Sequence, residues 1–374
     1  MRERTLVKDL AAREDGPVLL GGWVEKLRDQ KRIQFIILRD ESGDVQVTYP
    51  RPVIDEQPDE NDALAATVST LTAGSFVWVK GRLKHDERVK LGGLEVQLDE
   101  LEIVSLADPE TPIAEDTSID KRMDWRFLDL RRSEMNLVFR IQTTIEQAWR
   151  EYWTENGFVE IHSPKLMASA SESNAELFKL EYFEGHAYLA QSPQFYKQMA
   201  MMSGFGRIFE IGPVFRADPS FTSRHATEFV SVDIEVSWID SHEDIMAIQE
   251  QLMHRAISAV KEKHGEEILK HFGVDVVVPS IPFPRVALHD AIEIIKERGH
   301  VVERGGDLDP EGERQIAAWA QETHGHEFVF VTDYPATVRP FYHMRHADNP
   351  ALTNSYDLIW RGTEITTGAQ REHR

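Results

Sequence analysis

Between residues 17 and 105 apolar and polar positions alternate in short runs. The runs 18–26, 32–39, 44–49, 75–83 and 94–104 read as strands, separated by turn signals such as Glu41-Ser42-Gly43-Asp44 and Leu91-Gly92-Gly93. A helical segment, 59–72, falls between the third and fourth. Five strands with a helix after the third is the order of an OB-fold barrel, with another small barrel or sandwich as the alternative. Residues 106–133, with Pro109, Pro112 and dense charge, read as a linker or hinge. The pattern then changes period. Leu137, Val138, Ile141, Ile145, Ala148, Trp149, Tyr152 and Trp153 recur at helical spacing until Gly157, and a second helix is expected near 243–264.

The stretch 207–238 predicts a hairpin. On its return strand Val230, Val232, Ile234, Val236 and Trp238 share one face, and Phe229, Ser231, Asp233, Glu235 and Ser237 the other. On the outgoing strand Glu210 and Arg216 share a face. Arg, Asp and Glu on one face of a buried sheet are costly unless they meet a ligand, and these suit a nucleotide and a zwitterionic small molecule. No GxGxxG or GxxxxGK occurs, so the layout is neither Rossmann nor P-loop. The expected fold is α+β, the second part a largely antiparallel sheet with flanking helices.

Composition narrows the classes. A chain of 374 residues suggests two domains. The absence of an 18-residue apolar run or a signal-like start gives the expectation of a soluble, cytoplasmic protein with no membrane partner. Without Cys there are no disulfides and no thiolate metal sites. A net charge of −22 argues against a nucleic-acid binder unless a local face is basic.

Asp357 and Glu364 lie seven apart. A two-residue turn at Arg361-Gly362 pairs Trp360 with Thr363 and sets Asp357 opposite Thr366. Glu364 is then its diagonal neighbour, roughly 7–8 Å away. Two carboxylates so placed can share Mg²⁺ with a triphosphate, or can be surface acids of a solvated hairpin. Arg216 can hold a phosphate oxygen or pair with Glu210 or Asp218. Phe229 can stack on a base or belong to the core. Arg224 and His225 can hold outer phosphates or simply be solvated. Gln194 and Lys197, one helical turn apart, can hold the carboxylate of a small acid or mark an ordinary helix start after Pro193.

Taken together these residues resemble the class II aminoacyl-tRNA synthetases, and within them the compact archaeal type of aspartyl-tRNA synthetase. The first motif resembles Gly157-Phe-Val-Glu-Ile-His-Ser-Pro164, whose proline lies at the family's dimer interface. The second resembles Phe215-Arg216-Ala-Asp218 with Ser223-Arg-His225-Ala-Thr-Glu228-Phe229. The hinge signature resembles Arg126-Phe-Leu-Asp-Leu-Arg131, and Gly362-Thr-Glu364-Ile-Thr-Thr-Gly-Ala-Gln-Arg371 is the most specific match.

The resemblance implies an anticodon-binding OB domain over 1–105, a hinge over 106–133 and a catalytic domain over 134–374. It implies a homodimer using ATP and Mg²⁺ to charge tRNA(Asp), and leaves open tRNA(Asn). Catalysis falls to Arg216, Glu364 and Arg371. ATP falls to Arg216, Asp218, Arg224, His225, Phe229, Glu364 and Thr367, and the metal to Asp357 and Glu364. L-aspartate falls to Glu172, Gln194, Lys197, Asp233 and Arg371, and the anticodon to Phe35 and Gln46. Lys197 and Arg371 imply aspartate over asparagine. An asparaginyl-tRNA synthetase is the alternative, and an asparagine-synthetase-like relative is disfavoured by the OB segment.

Three departures stand out. Asp218 replaces the usual Glu, Ser171-Glu-Ser-Asn174 replaces a glycine-bearing loop, and Asp29-Gln-Lys-Arg32 adds charge to the barrel. The family's third motif, whose Arg meets the ATP γ-phosphate, is not among these residues. The chain therefore reads as truncated before it, or as a paralogue that binds tRNA and aspartate without full activity.

Overall fold

The computed structural model describes residues 3–54, 57–58, 62–114, 116–169, 177–217, 226–302 and 306–374. They form two compact units, Met1–Asn136 and Leu137–Arg374.

In the first unit, strands β1 (Gly16–Asp29), β2 (Ile33–Asp40), β3 (Gly43–Pro50), β4 (Phe76–His85) and β5 (Leu94–Ser105) close into a barrel of order β1-β2-β3-β5-β4. Every pairing is antiparallel except β3 with β5. Helix α1 (Ala63–Ser69) lies between β3 and β4, shorter than the expected 59–72 because Asp62 caps it, accepting from the backbone N–H groups of Leu64 and Ala65. Inward positions such as Val18, Leu20, Ile36, Leu38, Val45, Val47, Val77 and Val79 fill the core. Two strands approach closely where β4 carries Gly81: a Cβ there would lie 2.2 Å from the Gln97 carbonyl oxygen. Gly81→Ala is expected to cost about 1–3 kcal/mol in urea unfolding, since backbone must move to admit the methyl.

Residues after the barrel are more ordered than the linker the sequence suggested. Helices α2 (Ile119–Asp124) and α3 (Arg126–Asp129) bring Arg122 and Arg126 onto Asp129, which is wholly buried, and Arg132 stands 3.8 Å away. The Arg122 hydrogen bonds hold the Asp129 carboxyl below its usual range despite burial.

The second unit combines two long helices and three shorter ones with several small sheets. Helix α4 (Ser133–Glu155) follows the predicted periodicity, with Gly157 at φ +75° beyond it. It buries Trp153, which stacks on Phe209 at 4.4 Å. Strand β6 (Val159–Glu160) pairs parallel with β10 (Arg207–Phe215), and β10 pairs antiparallel with β11 (Glu228–Val236). Strand β7 (Leu166–Met167) joins the hairpin of β8 (Lys179–Tyr182) and β9 (Gly185–Leu189). Helix α5 (Gln194–Met202) packs against the β10–β11 hairpin. Trp238 does not extend the apolar face of β11: it lies past the strand end at φ +63° and is exposed.

Helix α6 (His242–Phe272) outruns the expected 243–264. Ser241 and Asp244 form a capping box at its start, and Gly273 ends it in the left-handed region. Strands β12 (Arg285–Ala287), β13 (Phe328–Thr332), β14 (Ser355–Trp360) and β15 (Thr363–Ala369) form a four-stranded sheet in chain order. Helices α7 (Leu288–Glu297) and α8 (Pro310–His324) cover it. The predicted pair Trp360–Thr363 is present, but a bulge between Leu358 and Ile359 shifts the rest. Asp357 therefore lies opposite Thr367, not Thr366.

Candidate active site

Helix α5 starts after Pro193, so Gln194 and Lys197 sit in its first turn, on one face, and both are buried. Facing them, β10 and β11 set Glu210 directly opposite Asp233. Like charges in that position repel unless cations intervene. Lys197 Nζ donates to Asp233 at 2.9 Å and stands 3.5 Å from Glu235. Lys165 Nζ donates to Glu210 at 2.6 Å, and Ser163 donates to the same oxygen from its N–H and its hydroxyl. Arg371, just past β15, donates to the Gln194 side-chain oxygen at 3.0 Å and lies 3.6 Å from Glu235. Lys165, Lys197 and Arg371 thus balance Glu210, Asp233 and Glu235 one for one.

Burial works against each charge, and the partners outweigh it. Burial lowers the Lys197 pKa, but Asp233 and Glu235 raise it above the usual lysine value. Burial raises that of Asp233, but Lys197 and the Ser231 hydroxyl hold it below the usual range. Between Arg371 and Arg339, the buried His343 is pushed down to about 3, by burial first and then by the two cations, and stays neutral. Two donors in the pocket, Gln194 Nε2 and Arg371 Nε, are buried without a hydrogen-bond partner. Such groups are expensive unless a ligand takes them up.

Arg216 follows the last residue of β10. It does not pair with Glu210, which Lys165 and Ser163 occupy; its guanidinium lies 5.5 Å from the Phe229 ring centre, and its Nε is buried without a partner. On the neighbouring sheet Asp357 is 2% exposed, which excludes the solvated-hairpin alternative. Arg339 donates to its Oδ2, while Oδ1 is buried and unpartnered. Glu364 is open at the surface, yet partial burial of its carboxyl, then Asp357, push it up to about 7, with Asp307 and Glu313 adding to the rise. Its surface exposure tempers the first cause; the neighbouring carboxylates are the firmer one. Thr367 stands opposite Asp357. Among the described residues no group of three or more His, Asp or Glu side chains is arranged to hold a metal by itself, so a cation here needs ligand oxygens as well.

On the barrel, Phe35 and Gln46 share the outward face: Ile37 pairs with Gln46, and Phe35 lies two residues along. Arg28 pairs with Phe35 and Lys26 with Ile37, so two exposed cations flank the aromatic ring. That is a basic, aromatic patch on an acidic chain.

Glu172, Asp218, Arg224 and His225 lie outside the described residues. Sequence reasoning assigned no site role to Lys165, Arg339, Lys26 or Arg28, and placed Glu235 only on the charged face of its strand. Strand alternation already put Glu235 beside Asp233, and the same rule applied to β1 would have found Lys26 and Arg28. Arg339 comes from an irregular segment with no period to follow.

Comparison with known proteins agrees with this architecture. Residues 18–104 match the model of the OB-fold nucleic acid binding domain, and residues 118–374 match that of tRNA synthetases class II (D, K and N). The chain belongs to the class II tRNA synthetase family, whose members use ATP. It is similar to the aspartate–tRNA(Asp/Asn) ligase of Aeropyrum pernix, 42% identical over all of this chain and 85% of the relative. The aspartate–tRNA(Asp) ligase of Pyrococcus abyssi is 38% identical over 96% of this chain and 81% of its own. Among solved structures, asparaginyl-tRNA synthetase from Pyrococcus horikoshii superposes with a TM-score of 0.89 at 31% identity, covering all of this chain and 84% of that one. Aspartyl-tRNA synthetase from Entamoeba histolytica gives 0.85 at 28%, covering 100% and 79%. No helix among the described residues is long and apolar enough to cross a membrane.

Proposed function

We propose that this chain activates L-aspartate with ATP and transfers it to tRNA(Asp). The observation that carries the reading is the convergence of Lys197 and Arg371, from separate elements, on one buried pocket with Gln194 and Asp233. Lys197 and Arg371 take the side-chain carboxylate of aspartate. Asparagine puts an amide NH2 where aspartate has a second acceptor oxygen, so donors of the pocket lose their acceptor, at a cost of about 1–3 kcal/mol or more. ATP–pyrophosphate exchange tests the choice: strong exchange with aspartate and little with asparagine is expected, and equal exchange refutes it.

The reaction has two transfers. An α-carboxylate oxygen of aspartate attacks the α-phosphorus of ATP, and pyrophosphate leaves. The terminal ribose hydroxyl of the tRNA then attacks the aspartyl carbonyl, and AMP leaves. The protein aligns two anions and neutralises charge, and alignment lowers the barrier by roughly 7–11 kcal/mol. Arg216, with its free Nε, meets the α-phosphate, and Phe229 stacks on adenine. Asp357 and Glu364, beside Thr367, are the groups that would hold Mg²⁺: Asp357 Oδ1 is a buried, anionic oxygen that no described residue meets in a well-formed hydrogen bond, though the Tyr334 hydroxyl lies near the carboxylate. Bound there, the ion neutralises phosphate charge. On the barrel Phe35 stacks on an anticodon base, for about 1–3 kcal/mol, and Gln46 reads one. Val138 and Phe139 on α4, and Val159, expose apolar surface and support a homodimer; sedimentation of the chain tests that.

A pH dependence follows from Glu364. Its folded value of about 7 lies above the ordinary glutamate value of 4.5. Between the two the folded chain holds a proton that the unfolded chain has lost. This contribution to stability is present at low pH and is lost as pH rises through 7. Cation binding competes with the same proton and improves over the same interval. The KM for ATP at limiting Mg²⁺ is expected to fall from pH 6 to pH 8, and Glu364→Gln to flatten that profile.

A further inference from the structure

We propose that Arg339 is a resident counter-cation that keeps the Asp357 pocket from taking up a divalent cation until a nucleotide arrives. The inference rests on the reading of Asp357 and Glu364 as the cation's carboxylates. Three observations support it. Arg339 and Asp357 form a nearly enclosed pair, their side chains 10% and 3% exposed. The pair is half made: Arg339 offers Nη2 to Oδ2, while Asp357 Oδ1 and Arg339 Nε are both buried without partners. A guanidinium usually grips a carboxylate through two bonds. Here one carboxylate oxygen and one donor are left over, an acceptor for a cation and a donor for an anion. Third, the guanidinium carbon lies 3.7 Å from the ring centre of Tyr334, itself buried, so the arginine is held in place by a flat aromatic face.

These contacts give Arg339 two effects. A free divalent cation approaching Asp357 meets a positive charge already seated on it, and in a poorly solvated pocket that repulsion is large. A triphosphate removes the obstacle, because its oxygens supply both the negative charge the cation needs and an acceptor for the spare Arg339 donor. The pocket then admits cation and nucleotide together. If Asp357 were closed to cations and the pair served packing alone, replacing the charge at position 339 would leave cation affinity unchanged.

Mn²⁺ titration of the intact chain without nucleotide, followed by the paramagnetic resonance of free Mn²⁺, tests this. The wild type is expected to bind Mn²⁺ weakly, and Arg339→Met to bind it at least ~10-fold tighter. Arg339→Lys, which keeps the charge, should stay near the wild type, and adding Asp357→Asn to Arg339→Met should abolish the gain. A folded Arg339→Met with unchanged or weaker affinity overturns the proposal. So does a wild type that binds Mn²⁺ alone in the micromolar range, a result that needs no variant to fold. Failure of every protein to bind Mn²⁺ even with a non-hydrolysable ATP analogue, beyond what the analogue binds by itself, overturns the assignment of the carboxylates as well.

Discussion

Lys197→Leu is expected to lower aspartate-dependent pyrophosphate exchange by about 10²–10³-fold, mostly through weaker aspartate binding, since truncating one partner of a buried hydrogen-bonded charge pair costs about 2–5 kcal/mol. The same change should destabilise the fold. Lys197 sits between Asp233 and Glu235, and all three are largely out of solvent. Deleting one partner of a buried pair leaves an uncompensated charge, at about 3–5 kcal/mol. Leucine removes the only cation within ion-pair distance of Asp233 among the described residues. Part of the penalty can be relieved by protonating Asp233, so the melting temperature of the variant should recover as pH falls, whereas that of the wild type should not. Exchange assays and melting curves at two pH values check both halves. A variant that keeps its stability and its preference for aspartate over asparagine would show that Lys197 does not face the substrate.

Arg216→Ala should give the opposite combination. Its guanidinium has no ion-pair partner among the described residues, and its contact with Phe229 is worth about 0.5–1 kcal/mol. Stability is therefore expected to stay within about 1 kcal/mol of the wild type, while kcat for adenylate formation falls by about 10²–10³-fold. If Arg216 acts on charge that grows in the transition state, the KM for ATP changes less than kcat. A large rise in KM with kcat intact would instead make Arg216 a ground-state binding residue. The contrast between the variants is informative because the residues are neighbours in function with different supports: one is held by its partners, the other waits for one.

How far the sequence could be read depends on whether a contact follows a period. The alternation in residues 18–104 was enough for the barrel, because one face of each strand is buried and a slip would invert it. The spacing of Gln194 and Lys197 on a helix turn, and of Asp233 on a strand face, carried most of the amino-acid pocket. Glu210 was legible as a charge on the correct face, but its partner Lys165 was not, since nothing local links positions 45 residues apart. Arg339 was illegible for the same reason. The hinge signature around Asp129 read as a linker because Pro and dense charge suggest solvent, yet here the charges neutralise each other inside a compact knot. The bulge in β15 escaped because Arg361-Gly362 does specify the tight turn, and a turn says nothing about an extra residue further along.

That extra residue makes Gly368 a lock on chain counting. With the bulge, Gly368 faces Tyr356, and even a single Cβ at this position would fall 2.5 Å from the tyrosine ring. Were the strand to relax into an unbulged hairpin, Thr367 would take that place and could not fit. The glycine thus penalises the one-residue slide that the neighbouring pair Thr366-Thr367 would otherwise permit. Arg371 lies three positions downstream, so the slide would carry this proposed aspartate-binding residue one step away from its partner Gln194 while leaving Glu364 beside the turn. On the proposed assignment, the span between recognition of the small molecule and neutralisation of the phosphates is measured out in residues of a single strand, and a glycine pressed against Tyr356 fixes where the measure starts.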